Sequence, residues 1–326
     1  MLRLTPLDHA TKIHSARSFD VNYAGSESNV ATTLGILGNK VSFITKLPKN
    51  QLGDAAMASL RSYGINTQYI QRGGKRIGTY FIELGASIRP SSVVYDRDNS
   101  AISGIQENEF DWEKILEDQK WIFLTGITPV LSKQCALETL KAARVAKRNG
   151  VKVAFDMNYR RSLWDNPSDA RKIFDQILEQ TDLLFGNTGA LKDVYGLQIQ
   201  ADDSLNETME VAKLASKEFG INQLAFTVRE HTSASHNAVS GVYLSKTKPY
   251  ISNTIAVNVI DRFGTGDAFT GAFLHGINLG WEEQELIDFA TAAFALKHTL
   301  KGDQHTSTEE EIRSVMDGNT KGHVLR

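Results

Sequence analysis

The residues of this chain whose types and spacing could do chemistry are Asp261-Arg262-Phe263-Gly264-Thr265-Gly266-Asp267-Ala268-Phe269. Two glycines one residue apart, between an apolar run and a helix, let backbone N–H groups converge on one point at the positive end of that helix. Such a turn can stabilise negative charge as it develops on a transferred phosphoryl group. Asp267, in the same turn, is placed to accept a proton from an attacking hydroxyl. A plainer reading stands beside this one, because Gly-x-Gly turns before helices are common and an Asp after one is most often an N-terminal cap.

The turn needs a strand before it and a helix behind it. Residues 255–260 alternate and are β-branched, which predicts a strand, and residues 268–279 carry apolar side chains at helical spacing. Upstream, from Cys135 onward, the same rhythm repeats. Helices are expected at 137–147 (stopping at Gly150), 170–179 and 206–219 (stopping at Gly220), and strands at 151–155, 182–185 and 223–228. This alternation predicts an α/β protein with a mostly parallel central sheet and helices on both faces. Ligands in such sheets gather outside the C-terminal strand ends, where the 156–160 segment, the Asn187 segment and the 264–267 turn all fall.

Residues 66–101 break the rhythm. Period-two runs at 78–83 and 92–95, joined by a turn containing Gly and Pro, predict a small β insertion helped by residues 18–23. A flap of this kind can close over a substrate and exclude water. It can equally cover the sheet or form a dimer contact, and the roles are compatible. Because exposed strand edges tend to pair, a homo-oligomer formed through these strands is expected.

Composition sets outer limits. The chain has 326 residues, 41% of them hydrophobic, enough for a full α/β core with a small appended domain. The formal net charge of −2, with no basic block, argues against nucleic acid, so a negatively charged substrate needs local arginines. No apolar run approaches membrane-spanning length and no signal-peptide pattern opens the chain, so no membrane association and a cytoplasmic location are expected. The single cysteine, Cys135, excludes an intrachain disulfide and reads as a small buried hydrophobe. His231 and His236 are spaced wrongly for one helix face and lack Cys or carboxylate neighbours, so they do not read as a metal site.

The string Asp-x-x-Gly-x-Gly-Asp-x-Phe, followed by Gly271 and Gly276, resembles the C-terminal signature of the ribokinase-like (PfkB) carbohydrate kinases. Tyr23-Ala24-Gly25-Ser26-Glu27-Ser28-Asn29-Val30-Ala31 resembles the N-terminal sugar-binding motif of that family, usually Gly-Gly-x-x-x-Asn-x-Ala, with Ala24 in place of the first glycine. Within the family the resemblance is to 2-keto-3-deoxygluconate kinases. It rests on Arg76-Ile77-Gly78-Thr79-Tyr80, Val94-Tyr95-Asp96-Arg97, Asp156-Met157-Asn158-Tyr159-Arg160 with Leu163-Trp164, and Lys297-His298-Thr299-Leu300-Lys301-Gly302-Asp303.

The resemblance implies a ribokinase-like fold, with an α/β domain over 1–17, 24–65 and 102–326 and a β lid over 18–23 and 66–101. It implies ATP and Mg as cofactors and a small sugar acid as substrate. Gly25, Ser26 and Asn29 would meet sugar hydroxyls, Tyr80, Tyr95 and Arg97 would contact the keto-acid from the lid, and Asp303 would bind its far end. Arg160 would lie between substrate and phosphates, Asp267 would be the base, and the Gly264, Thr265 and Gly266 amides would form the anion hole. Asn158, Thr227 and Arg229 would approach the phosphates, with 293–297 bordering the adenine.

Physical chemistry agrees with part of that assignment, since a substrate carboxylate favours the planar fork of arginine. Plainer roles remain for several of these residues: Arg97 paired with Asp96 or Asp98, Arg160 and Arg161 capping strand-end carbonyls, Thr227 as a strand-end β former. No Gly-x-x-x-x-Gly-Lys-[Ser/Thr] loop is present, so the chain is not a P-loop kinase. Two departures from the family pattern stand out. The Asn-x-x-Glu motif that organises Mg through water lacks its glutamate, since Asn187 is followed by Thr188-Gly189-Ala190; Mg would be held by ATP and water, and its protein ligands are unknown. Relatives open with a full strand ending in a Gly-Glu-like turn, whereas Met1-Leu2-Arg3-Leu4-Thr5-Pro6 resembles only its tail, and a missing central strand would leave neighbouring backbone groups unpaired. A kinase for a neutral sugar such as ribose or fructose, and a catalytically weak sugar-acid-binding regulator, are the alternative readings.

Overall fold

Strands β1 (Leu2–Pro6) and β2 (Phe19–Tyr23) open the chain, followed by α1 (Ser26–Ile36), β3 (Lys46–Leu47), α2 (Gln51–Ser62), β4 (Gln71–Arg72), β5 (Thr79–Glu83) and β6 (Ser92–Asp96). The structure is a computed structural model that describes residues 1–8, 10–320 and 322. It divides into two compact units. The first holds Met1–Ala101, Arg229–Ser240 and the chain from Ser252 onward; the second holds Ile102–Val228 and Gly241–Ile251.

In the first unit a four-stranded sheet has the order β2-β1-β5-β6. The period-two runs at 78–83 and 92–95 are β5 and β6, an antiparallel pair that sets Tyr80 opposite Tyr95. Alternation in β5 buries Tyr80 and Ile82 with Ala24 and Leu84, and Val93 and Phe263 pack on that cluster. Strand β1 lies inside this sheet, antiparallel to β2 and parallel to β5.

The second unit carries α3 (Trp112–Leu116), β7 (Trp121–Thr125), α4 (Ile127–Val130), α5 (Lys133–Arg148), β8 (Lys152–Asp156), α6 (Pro167–Leu178), β9 (Leu183–Gly186), α7 (Thr188–Tyr195) and α8 (Ser204–Phe219). Next come β10 (Gln223–His231), β11 (His236–Ser245) and β12 (Lys248–Ile251), and the strand order is β12-β11-β10-β9-β8-β7. Strands β7 to β10 are parallel. Val153, Ala154, Phe155, Leu183, Leu184 and Phe185 are all buried, the continuous apolar pattern of strands covered on both faces. Ser132 and Asp203 cap α5 and α8, and α8 stops at Gly220 in the left-handed region.

The β11–β12 pair is antiparallel, an addition at one edge to the expected mostly parallel run of β7 to β10. The tight turn carries no Gly, Asn or Pro; Lys246, at φ +56, takes the left-handed position, so the usual sequence signal for a hairpin is missing. Cys135 is fully buried, as expected.

The chain then completes the first unit with β13 (Ile255–Asn258), α9 (Thr265–Leu279), α10 (Glu283–Lys297) and α11 (Glu309–Met316). β13 pairs antiparallel with the start of β11 and ends two residues sooner than the alternation predicts. The amides of Ile260 and Asp261 donate instead to the carbonyl of His298, which diverts the backbone into the 261–264 turn. Helix α1 packs on α9 at a glycine. A Cβ on Gly271 would lie 2.6 Å from the Cβ of Thr33, so only glycine allows this approach, which carries Ser26 and Asn29 to the N-terminus of α9.

Candidate active site

Gly264 is the N-cap of α9, in the left-handed conformation at φ +72, and no side chain caps the helix. A Cβ there would sit 1.9 Å from the carbonyl oxygen of Asp303, so glycine is required by both conformation and space. Gly266, two residues on, faces open space: a Cβ would meet nothing within 4 Å. An uncapped helix N-terminus beside open space can receive an anion.

Asp267 stands in the first turn of α9 and its carboxylate is held from both sides. Ser26 Oγ donates to Oδ1 at 2.7 Å and Asn29 Nδ2 donates to Oδ2 at 2.7 Å. Asn29 is itself buried and oriented by the Gly25 amide, which donates to its Oδ1 at 3.3 Å. Two such bonds fix the direction of the carboxylate, a group that accepts protons and hydrogen bonds. Gly25, Ser26 and Asn29, expected at the sugar, are thus brought to the expected base.

Thr265 is buried, donating to the Arg262 carbonyl at 3.0 Å and accepting from Arg229 Nη2 at 2.7 Å. Arg229 lies over the Phe294 ring, 5.0 Å from its centroid, with its Nε buried and unpartnered. Burial, and then the like charge of Arg262, push its guanidinium down to about 9. At neutral pH this cation is charged next to the first residue of α9, a position suited to a phosphate.

Side chains on and just after β5 and β6 form a second group. The rings of Tyr80 and Tyr95 stack with centroids 6.1 Å apart, and the Arg97 guanidinium lies 4.6 Å from the Tyr95 centroid. Asp96 is taken by Arg76, which donates to both of its carboxylate oxygens at 2.9 and 2.7 Å. The Tyr80 hydroxyl donates to Asp303, and burial pushes that phenol well above its usual range. Tyr80 and Asp303, expected at the substrate, are therefore bonded to one another, and Asp303 is also paired with Arg3.

Asn158, Arg160 and Thr227 belong to the second unit. Asn158 follows β8 at φ +37, its amide donating to Asp156 at 2.8 Å, and Arg160 donates to the Tyr159 carbonyl at 3.2 Å. Thr227 is half-buried within β10. Asn187 caps α7 by accepting from the Ala190 amide at 3.1 Å, a helix-starting role. Among the described residues no group of three or more His, Cys, Asp or Glu could hold a metal ion, so these side chains do not make a cage for Mg. Segment 293–297 is buried except for Leu296.

A model of the pfkB family carbohydrate kinases matches residues 1–310. The chain is a pfkB family carbohydrate kinase. This kinase is 31% identical over 322 residues to the 2-dehydro-3-deoxygalactonokinase of Haloferax volcanii, with 99% of this chain and 96% of the relative covered. To a 5-dehydro-2-deoxygluconokinase of Clostridium botulinum it is 27% identical over 310 residues, covering 93% of this chain and 87% of the relative. The crystal structure of 2-dehydro-3-deoxygluconokinase from Thermotoga maritima superposes with a TM-score of 0.94 at 41% identity, covering 98% of this chain and 96% of that one. The fold is ribokinase-like α/β, with a central mixed sheet and a small separate one. Kinases of the pfkB family use ATP.

The pfkB signature therefore folds into an uncapped helix N-terminus and an oriented carboxylate, with the Arg229 guanidinium of β10 beside them, a set able to pull a proton from a hydroxyl and stabilise phosphoryl charge. Sequence reasoning gave no role to Arg3 or to the side chain of Asp261, and placed Lys297 only at the end of the segment bordering the adenine; all three are fully buried. The available signal was an arginine between two leucines on a β-strand, since a charge in such a run must find a buried partner.

Proposed function

We propose that this kinase transfers the γ-phosphoryl group of ATP to the terminal hydroxyl of 2-keto-3-deoxygluconate, giving 2-keto-3-deoxy-6-phosphogluconate. The observation that carries this reading is the Asp267 carboxylate, held by Ser26 and Asn29 at the uncapped start of α9. Asp267 takes the proton of the attacking hydroxyl. Backbone amides of 264–266, with Arg229 and Arg160, stabilise charge on the phosphoryl oxygens as the oxygen–phosphorus bond to ADP breaks. Gly25 gives the substrate close approach to the backbone, while Asn158 and Thr227 approach the nucleotide phosphates. Mg accompanies ATP and is held by its phosphates and water, in keeping with the reluctance of that ion to dehydrate.

Substrate choice rests on the lid, residues 18–23 and 66–101. Arg97, stacked on Tyr95 and supported by the Arg76–Asp96 pair, suits a carboxylate, which neutral sugars lack. Tyr80 and Tyr95 contact the keto-acid beside Arg97, and Asp303 meets its far end. The name of the Haloferax volcanii relative supports a second substrate, the galactonate epimer, which presents the same carboxylate and keto group. The exposed edge strand β6, with Val94 54% exposed, supports a homo-oligomer formed through the lid, which light scattering tests.

The deciding experiment measures ADP release from ATP and Mg with 2-keto-3-deoxygluconate, its galactonate epimer, gluconate, ribose and fructose, for wild type and Asp267→Asn. Turnover on a keto-acid, reduced about 10²–10⁴-fold in a folded Asp267→Asn protein, is the expected result. Turnover on ribose or fructose alone rejects the sugar-acid assignment, and binding without ADP release rejects catalysis.

A further inference from the structure

Arg3 is fully buried at 0% exposure, as is Asp261, and Asp303 is 6% exposed. One guanidinium serves both carboxylates. Its Nη2 donates to Asp261 Oδ2 at 2.5 Å, its Nη1 donates to Asp303 Oδ1, and its Nε donates to Thr5 Oγ1 at 2.9 Å. The ring of Phe263 lies 5.5 Å from the guanidinium carbon. Burial alone would push Arg3 down, but the charges of Asp303 and Asp261 outweigh it and the guanidinium stays ionised.

The two carboxylates belong to the two segments that meet at Gly264. Asp261 accepts from the Phe263 amide at 3.0 Å and from the Gly302 amide at 3.0 Å. Asp303 supplies the carbonyl that presses on Gly264. Arg3 also stands opposite Tyr80 in the β1–β5 register, and both side chains bond Asp303. A single planar fork on β1 of the four-stranded sheet thus ties segment 261–263 to segment 302–303, directly beneath the N-cap of α9. Lysine offers a point charge and could not hold two carboxylates in a fixed plane.

Building on the kinase reading above, we propose that Arg3 is a positioning residue for phosphoryl transfer: by bridging Asp261 and Asp303 it holds the 261–266 turn where its amides meet the transferring group. It touches neither substrate nor nucleotide, and acts through the two aspartates. Its loss leaves two buried carboxylates short of a partner, one on each side of Gly264, so the turn moves while the rest of α9, packed on α1 and α10, stays in place.

The test compares wild type, Arg3→Gln, Arg3→Lys, and Ile82→Val, the last being a core change in β5 that removes packing without charge. Two readouts are taken: kcat and KM for ATP, and amide hydrogen exchange across residues 261–268. For Arg3→Gln, kcat should fall about 10–100-fold, the cost of a misplacement near 1 Å, with KM for ATP changed less than about threefold. Exchange should rise at 261–268 and remain at the wild-type level in α10. Arg3→Lys should fall between the two, and Ile82→Val should leave both readouts as in wild type. A folded Arg3→Gln protein with wild-type kcat and wild-type exchange at 261–268 overturns the proposal. So does exchange that rises equally throughout β1, β2 and β5, which marks a merely structural role. If Arg3→Gln does not fold, Arg3→Lys decides by the same two readouts. Exchange does not depend on the sugar: a wild type inactive on every sugar acid, with exchange rising at 261–268 in Arg3→Gln, rejects the substrate reading and keeps the role of Arg3.

Discussion

Replacing Gly264 with alanine sets one methyl group against the backbone of a neighbouring segment. At φ +72 an alanine costs about 1–2 kcal/mol relative to glycine from conformation alone. The methyl carbon would lie 1.9 Å from the Asp303 carbonyl oxygen, where ordinary contact begins at 3.4 Å. The obstacle is backbone and cannot swing aside, so either the 261–266 turn or the 302–303 segment must retreat by roughly 1 Å or more. A displacement of ~1 Å at reacting groups costs about 10²-fold, and losing one anion-hole donor costs on the order of 10²–10³-fold. Gly264→Ala should therefore lower kcat about 10²–10³-fold with a stability loss of about 1–3 kcal/mol, leaving a folded protein. Gly266→Ala is the matched comparison: it adds the same methyl group in open space and at ordinary φ, so it should melt no lower than wild type. The assay is coupled ADP release beside thermal melts. Near-wild-type kcat for a folded Gly264→Ala enzyme would refute the argument that this turn stabilises the transferring phosphoryl group.

Arg97→Gln should raise KM for a keto-acid about 10–100-fold through loss of a charged hydrogen bond, and leave turnover of any neutral sugar unchanged; equal effects on both would show that Arg97 does not meet the carboxylate. Burial holds His298 and His305 down to about 3, against 6.5 for an ordinary histidine, with the charge of Arg229 adding to the effect on His298 and that of Lys297 on His305. The unfolded chain protonates first, so their contribution to stability is complete above pH 6.5 and is lost as pH falls from there toward 3. At pH 5 each histidine should cost about 2 kcal/mol, and His305→Gln should remove its share of the drop in melting temperature between pH 7.5 and pH 5; an unchanged drop contradicts the assignment. If β6 forms the contact between copies, Val94→Lys should shift the light-scattering mass toward the monomer, and an unaltered mass places the contact elsewhere.

Local patterns determined much of this protein on their own. Periodicity located β8, β9, α8 and α9, because each is either a continuous apolar strand or a helix with an apolar face and a glycine stop. The spacing of Gly264, Gly266 and Asp267 marked the anion-binding turn, since a positive φ and a free helix N-terminus are properties of a few consecutive residues. Tertiary structure alone decided what those residues face. That Ser26 and Asn29 hold the Asp267 carboxylate, across 241 and 238 residues of sequence, depends on the close approach of α1 to α9 at Gly271. That Arg3 is shared between Asp261 and Asp303 depends on β1 lying between β2 and β5, and Tyr80 meets Asp303 for the same reason. The β11–β12 hairpin turned on Lys246 adopting a left-handed backbone that its residue type does not announce. Burial of charge is the common thread. A sequence shows that Arg3, Asp261 and Asp303 are ionisable, but only the packing of distant segments removes them from water and so obliges them to pair.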